Sequence, residues 1–232
     1  MARHKTRPAH SGTVLVVGLG RFGTAVAESL VRQQVEVLAV DEDATLVQRY
    51  ADDFTLTAQA DATDGEAMRQ LGVAEVESAV VAIGSDVEAS VLTVITLVEA
   101  GVERIYAKAI TRKHGKILSN IGATHVIYPE YVMGQRVAHM VTGGVQDYLE
   151  FQDGFAIVRT DAPSELWDRN LTDSAVRSRY EVTVVGIKRP RQDFAYAVPE
   201  TVVQPGDELV VSGTTENVER FTALRSDRFR EG

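Results

Sequence analysis

The chain has 232 residues, 44% of them hydrophobic, a formal net charge of −9 and no cysteine. That length suits one large domain or two small ones with a sizeable core, and the missing thiols exclude disulfides, zinc–thiolate sites, iron–sulfur clusters and cysteine nucleophiles. The acidic balance argues against a protein that wraps nucleic acid, whose phosphates need a basic surface, and no stretch reaches the ~20 apolar residues of a membrane-spanning helix.

Residues 1–12 carry Arg3, Lys5 and Arg7 without an apolar segment. They read as a disordered basic tail rather than a signal peptide. The apolar run Thr13–Val17 predicts a first strand. It runs into Gly18-Leu19-Gly20-Arg21-Phe22-Gly23, then a helix over Phe22–Gln33 and a second strand over Val35–Val40 that ends on Asp41. This is a dinucleotide fingerprint in its strand–turn–helix–strand–acid setting. Gly18 permits the tight turn, Gly20 lets backbone approach a phosphate, and Gly23 lets the helix lie close to the strand. The helix N-terminus at Phe22–Thr24 offers free N–H groups to an anion. Asp41 stands where a carboxylate can accept hydrogen bonds from ribose hydroxyls.

Further strands follow at Phe54–Ala58, Ser78–Ile83, Arg104–Lys108 and Thr124–Tyr128. Helical patterns lie between and after them, at Ala44–Tyr50, Gly65–Leu71, Val87–Ala100, Lys113–Ile121 and Tyr131–Thr142. The strands are near-continuous in Val, Ile, Leu and Ala, as a parallel sheet covered on both faces requires. The alternation predicts an α/β, doubly wound, Rossmann-like domain over 13–142 with ligands at the carboxyl ends of its strands. After Gly143-Gly144 the pattern changes to a small α+β lobe over 143–226. Its expected strands are Asp147–Phe151, Ala156–Arg159, Val182–Lys188, Phe194–Ala197 and Glu208–Ser212, and its helices Thr172–Arg179 and Glu216–Leu224. The lone Trp167 is read as a packing anchor for this lobe.

Candidate site residues gather at the strand ends. Arg21, between the second and third glycines, can form charge-assisted hydrogen bonds to terminal phosphates. Asp61 and Ala62 follow the third strand, where adenine or ribose can be met, although Asp61 equally suits a helix-capping turn. Ile83, Gly84 and Ser85 end the fourth strand; Gly84 allows close approach, and Ser85 either caps the next helix or touches ligand. Lys108 and Glu130 point to the same crevice, as a phosphate-neutralising cation and an oxygen ligand for a divalent cation. Alternatively they are a solvated lysine and a first-turn acid. The histidines, at 4, 10, 114, 125 and 139, show no metal-binding pair on one helical turn, and His125 is read as a core or edge residue of its strand.

Gly18–Gly23, Ala39-Val-Asp41, Ala60-Asp-Ala-Thr63, Val81-Ala-Ile-Gly84, Tyr106-Ala-Lys108 and Tyr128-Pro-Glu130 resemble the regulator-of-potassium-conductance (RCK, or Trk/Ktr nucleotide-binding) family. Leu166–Leu171, Val176-Arg177 and the Gln204-Pro-Gly-Asp207 turn are similar to its C-terminal subdomain. The resemblance implies a non-enzymatic, cytoplasmic subunit that binds ATP or ADP. It would form a dimer within an octameric ring on the inner face of a potassium-translocating membrane protein. It further implies that Arg21 contacts phosphates across a dimer interface and that Asp41 binds ribose, beside the cofactor-binding candidates Phe22 and Ser85 read from the residues. Lys108 would lie near the nucleotide, and Glu130 would bind Mg2+ or Ca2+ between two ATP molecules. Cyclic di-AMP at the C-terminal dimer interface is a further family ligand; here Ser174-Ala175 stands where leucine–asparagine is common. The competing reading is an NAD-dependent oxidoreductase with a small substrate lobe. The absence of His and Cys from 143–226 weighs against it, because proton transfer needs a positioned acid or base.

Overall fold

The computed structural model describes residues 12–151 and 153–224. The expected basic tail, Gly12 apart, lies outside the described residues. The chain divides into two compact units between Glu130 and Tyr131.

The first unit runs β1 (Val14–Val17), α1 (Arg21–Arg32), β2 (Val37–Asp41), α2 (Ala44–Arg49), β3 (Leu56–Gln59), α3 (Gly65–Gln70), β4 (Ser78–Val81), α4 (Val87–Glu99), β5 (Ile105–Lys108), α5 (Arg112–Asn120) and β6 (His125–Ile127). All six strands are parallel, in the order β3-β2-β1-β4-β5-β6, with Val14 paired to both Val37 and Ser78. The order reverses direction between β1 and β4, so the crevice for a ligand opens at the carboxyl ends of these two strands.

Because side chains alternate along a strand, the apolar runs supply two cores. Leu15, Val17, Leu38, Val40, Ala79 and Val81 share one cluster with Met68, Val94, Leu97 and Leu118 of the helices. Val14, Val16, Val37, Ala39 and Val80 share the other with Ala27 of α1. Two expectations need correction here. Coverage of the sheet is incomplete: a groove of about 320 Å³ opens on the α1 side, lined by Phe22, Val26, Val80, Tyr106 and Ile127. The outer strands β3 and β6 are also largely unburied. His125 accordingly is an exposed edge residue whose ring stacks on Tyr106 with centroids 4.5 Å apart.

Helix α6 (Pro129–Gly143) starts two residues earlier than the apolar pattern suggests. Proline's missing N–H and fixed φ are tolerated at a helix start, and Glu130 therefore sits in the first turn. The helix ends at Gly143, and Gly144 follows in the left-handed region at φ +62°.

The second unit holds most of α6, then β7 (Val145–Glu150), β8 (Phe155–Asp161), β9 (Arg169–Asn170), α7 (Leu171–Ser174), α8 (Val176–Tyr180), β10 (Thr183–Lys188), β11 (Phe194–Tyr196), β12 (Val202–Val203), β13 (Glu208–Thr214) and α9 (Thr215–Thr222). Its main sheet is antiparallel, ordered β11-β10-β13-β8-β7, and β9 pairs with β12. Val158, Leu209, Val211, Val218 and Phe221 are buried together. The single helix expected over Thr172–Arg179 is two short ones, because Ala175 turns left-handed at φ +49°. Trp167 is half-buried and its indole N–H donates to the Ala162 carbonyl at 3.1 Å, in line with an anchoring role.

Candidate nucleotide-binding site

The glycine turn is built by contacts that side chains would forbid. Gly18 takes φ +93°, and its N–H donates to the Val40 carbonyl at 2.8 Å, tying the turn to β2. A Cβ at Gly23 would lie 1.8 Å from the Gly18 carbonyl oxygen, so α1 can begin there only without one. A Cβ at Gly20 would meet nothing within 4 Å, which leaves open space in front of the helix. Asp41 closes the turn: one carboxylate oxygen accepts from Leu19 N–H at 2.6 Å and the other from Asp43 N–H at 2.9 Å. Each oxygen has further lone-pair capacity.

Helix α1 begins without a side-chain cap. The next four helices are capped by Asp43, Asp64, Asp86 and Thr111. The first N–H groups of a helix need acceptors from outside it, and together with the helix dipole they favour an anion. The cradle therefore fits a phosphate.

Beside it stands a cationic lip. Lys108 ends β5 with its side chain 12% exposed, and its ammonium lies 5.7 Å from the Phe22 ring centroid and 2.6 Å from Glu130 Oε1. Gly84 makes room for it, since a Cβ there would be 3.2 Å from Lys108 Cε and Nζ. Glu130 is 68% exposed. Its carboxyl is held below the usual range, first by the Lys108 hydrogen bond, then by its own backbone N–H and by the charges of Lys108 and Arg21. Arg21 itself is exposed.

The other candidates make no contact with the Lys108–Glu130 pair, although Ile83 packs against the glycine turn, 3.5 Å from where a Gly18 Cβ would be. Asp61 uses Oδ1 to accept from Thr63 N–H at 2.9 Å and Thr63 Oγ1 at 2.7 Å, which lowers its pKa; the helix cap is Asp64. Ala62 is 7% exposed and its methyl packs in the core, so only its backbone is offered to a ligand. Ile83 is half-buried against the same core. Ser85 is exposed and does not cap α4, because Asp86 one residue later accepts from Ala89 N–H at 3.0 Å. Two contacts were missed by reading the sequence: the Asp41 clamp on Leu19 and the Lys108–Glu130 pair. For the second there was a signal, since both residues were assigned to one crevice with opposite charge.

Among the described residues no group of three or more His, Cys, Asp or Glu is placed to hold a metal ion. Glu130 can supply one oxygen to a divalent cation, which takes six or more; phosphates and water would have to supply the rest. The second unit takes most of α6 and with it His139, whose ring stacks on Tyr148 at 3.8 Å between centroids and lies 3.9 Å from Glu219.

Residues 14–129 match the TrkA-N domain and residues 155–225 the TrkA-C domain. The chain is 37% identical over 207 residues to Ktr system potassium uptake protein C of Bacillus subtilis (strain 168), covering 89% of this chain and 94% of that protein. The chain belongs to the TrkA, or RCK, family. Ktr system potassium uptake protein A of the same organism is 35% identical over 207 residues, covering 89% of this chain and 93% of its own length. This RCK protein is thus a homologue of the regulatory subunits of potassium transport. A structure of the GsuK channel bound to NAD superposes with a TM-score of 0.65 at 16% identity, over 94% of this chain and 40% of the channel chain. That likeness shows a shared fold, and this RCK chain spans less than half of the channel polypeptide.

Proposed function

We propose that this RCK protein is a non-enzymatic regulatory subunit that binds ATP or ADP and gates an integral-membrane potassium-translocating partner from its cytoplasmic face. The observation that carries the reading is the uncapped N-terminus of α1, which opens onto free space at Gly20 beside Arg21 and Lys108. A phosphate chain accepts from the N–H groups of Phe22 and Gly23, and its terminal charge meets the guanidinium and the ammonium. Ribose hydroxyls donate to the lone pairs that Asp41 keeps free beyond its clamp on Leu19 and Asp43. Backbone near Ala62, Ile83 and Gly84 borders the base. A bound Mg2+ or Ca2+ would neutralise facing phosphates, with Glu130 as its protein oxygen. NAD fits the same cradle, but a nicotinamide ribose would make no use of the cations at the lip, so ATP and ADP are favoured.

Attachment to the membrane is through the partner: among the described residues no helix is long and apolar enough to cross a bilayer. Self-association follows from unburied apolar side chains. Val87, Leu92 and Val98 on α4, and Tyr131, Val132, Met133, Val137 and Val141 on α6, are all exposed. We infer a dimer within an octameric ring, with a domain boundary near 142. The second unit is the place for a cyclic di-AMP site, although Ser174 there is buried and donates to the Asn170 carbonyl at 2.7 Å rather than to solvent.

Calorimetric titration of the purified chain with ATP, ADP and NAD tests the nucleotide reading. Tighter binding of ATP and ADP than of NAD is expected, and NAD binding tightest would favour the oxidoreductase alternative. A monomeric mass by light scattering, with and without ATP, would overturn the ring.

A further inference from the structure

The cation best placed to receive a terminal phosphate is already engaged. Lys108 lies below the rim at 12% exposure, pinned between the Phe22 ring, the bare Cα of Gly84 and Glu130. Its ammonium has three donors, and one is spent on Glu130 Oε1 at 2.6 Å. The two partners are unequal. Lys108 is held in place by its surroundings, whereas Glu130 is 68% exposed in the first turn of α6 and can swing outward at little loss. We propose that the Lys108–Glu130 ion pair is a latch across the phosphate position, which a nucleotide's terminal phosphate must open by taking Lys108 from Glu130.

The inference rests on the nucleotide reading above and adds to it an order of events. A terminal phosphate carries more charge than a carboxylate and reaches Lys108 from the α1 cradle, so it wins the ammonium. The displaced carboxylate is then left beside phosphates, where it repels them. Release of Glu130 thus follows nucleotide entry, and the freed carboxylate is the oxygen that would hold a divalent cation. Without a nucleotide, Glu130 is neutralised by Lys108 and presents a poor cation ligand.

The test is a double-mutant cycle on ADP affinity, measured by calorimetry in chelator so that no divalent cation contributes. The four chains are wild type, Glu130→Gln, Lys108→Met and the double variant, with thermal melts to show that each folds. Removing the latch should make Glu130→Gln bind ADP about two- to fivefold tighter than wild type, the range set by a partly exposed ion pair. Lys108→Met should bind more weakly, and the double variant should match Lys108→Met. An affinity of Glu130→Gln equal to or below wild type overturns the latch. So does equal tightening by Glu130→Gln in the Lys108→Met background, which would mean simple repulsion between Glu130 and phosphate. A wild-type chain that binds ATP but shows either result retires the latch alone; one that binds neither nucleotide retires the underlying reading with it.

Discussion

In the first unit the charges of the candidate site stand at one rim of a sheet, while in the second a run of charges pairs from strand to strand. Parallel strands deliver every carboxyl end to one rim, and the helices that follow present their N-termini there. Glycines, Asp41, Lys108 and Glu130 therefore collect along a single edge. The antiparallel sheet of the second unit has no such edge, and its charges pair between neighbouring strands instead. Asp147 on β7 pairs with Arg136 of α6 and with Arg159 of β8 at 3.2 Å; Arg159 in turn lies 3.7 Å from Glu208 on β13. Gln146 donates to Asp161 at 3.1 Å on the same pair of strands. One arrangement leaves polar groups at an open rim, and the other pairs most of its charges within the sheet.

If that contrast is right, a methyl group at Gly23 should be ruinous and one at Gly20 should not. Gly23→Ala places a Cβ against backbone that cannot yield and should destabilise the first unit by about 3 kcal/mol or more, read as a lower chemical-denaturation midpoint. Gly20→Ala has open space around it and should keep stability within about 0.5 kcal/mol while lowering nucleotide affinity. Equal stability of the two variants would break the account of the turn.

The second unit offers a comparable break through packing. Phe221 is fully buried and meets Tyr180 edge-on at 5.5 Å. Phe221→Ala should remove about 3–5 kcal/mol and lower the melting of that unit. The ADP-dependent shift of the remaining transition should survive, if the ligand sits on the first unit alone. Loss of the shift would deny the separation of roles.

Smaller effects sharpen the site itself. Arg21→Ala should weaken ATP by about tenfold, one charge-assisted contact, and ADP distinctly less. Equal losses for both would remove Arg21 as a terminal-phosphate ligand. Smallest is the Asx turn at Asp61. Its folded pKa is depressed by Thr63, so its contribution to stability is present above the ordinary aspartate value of about 3.9. It is lost as pH falls through the lower folded value. Thr63→Ala keeps the backbone donor but removes the hydroxyl. The Asp61 pKa should then rise towards the ordinary value by carboxyl NMR, with the acid limb of stability moving up in pH. An unmoved titration would contradict the hydrogen-bond origin.

Much of this was legible because local chemistry and tertiary placement agree. The Gly18–Gly23 turn, the six strands, the strand-end positions of Asp41 and Lys108 and the place of Glu130 just after β6 follow from period and spacing. What escaped depends on atoms meeting from distant segments or on backbone angles that residue type hides. Alanine is a helix former, so nothing at Ala175 announces a left-handed break; the two-residue strands β9 and β12 have no periodicity to read. Asp41 suggested a ribose partner, and its grip on Leu19 N–H requires knowing how the turn folds back over β2. The early start of α6 at Pro129 was likewise hidden, because the apolar pattern that marks the helix begins only at Tyr131.

The cationic lip at α1 sits on a chain whose formal net charge is −9. A nucleotide approaching from a distance first meets a like-charged body, and at physiological ionic strength attraction by Arg21 and Lys108 is felt only within about a Debye length, ~8 Å. Capture is then governed by a short-range funnel inside a long-range barrier. Added salt at low ionic strength should speed association by screening the body more than the lip, the reverse of what electrostatic steering does for a uniformly basic binder. Stopped-flow association rates measured against salt would expose that inversion directly.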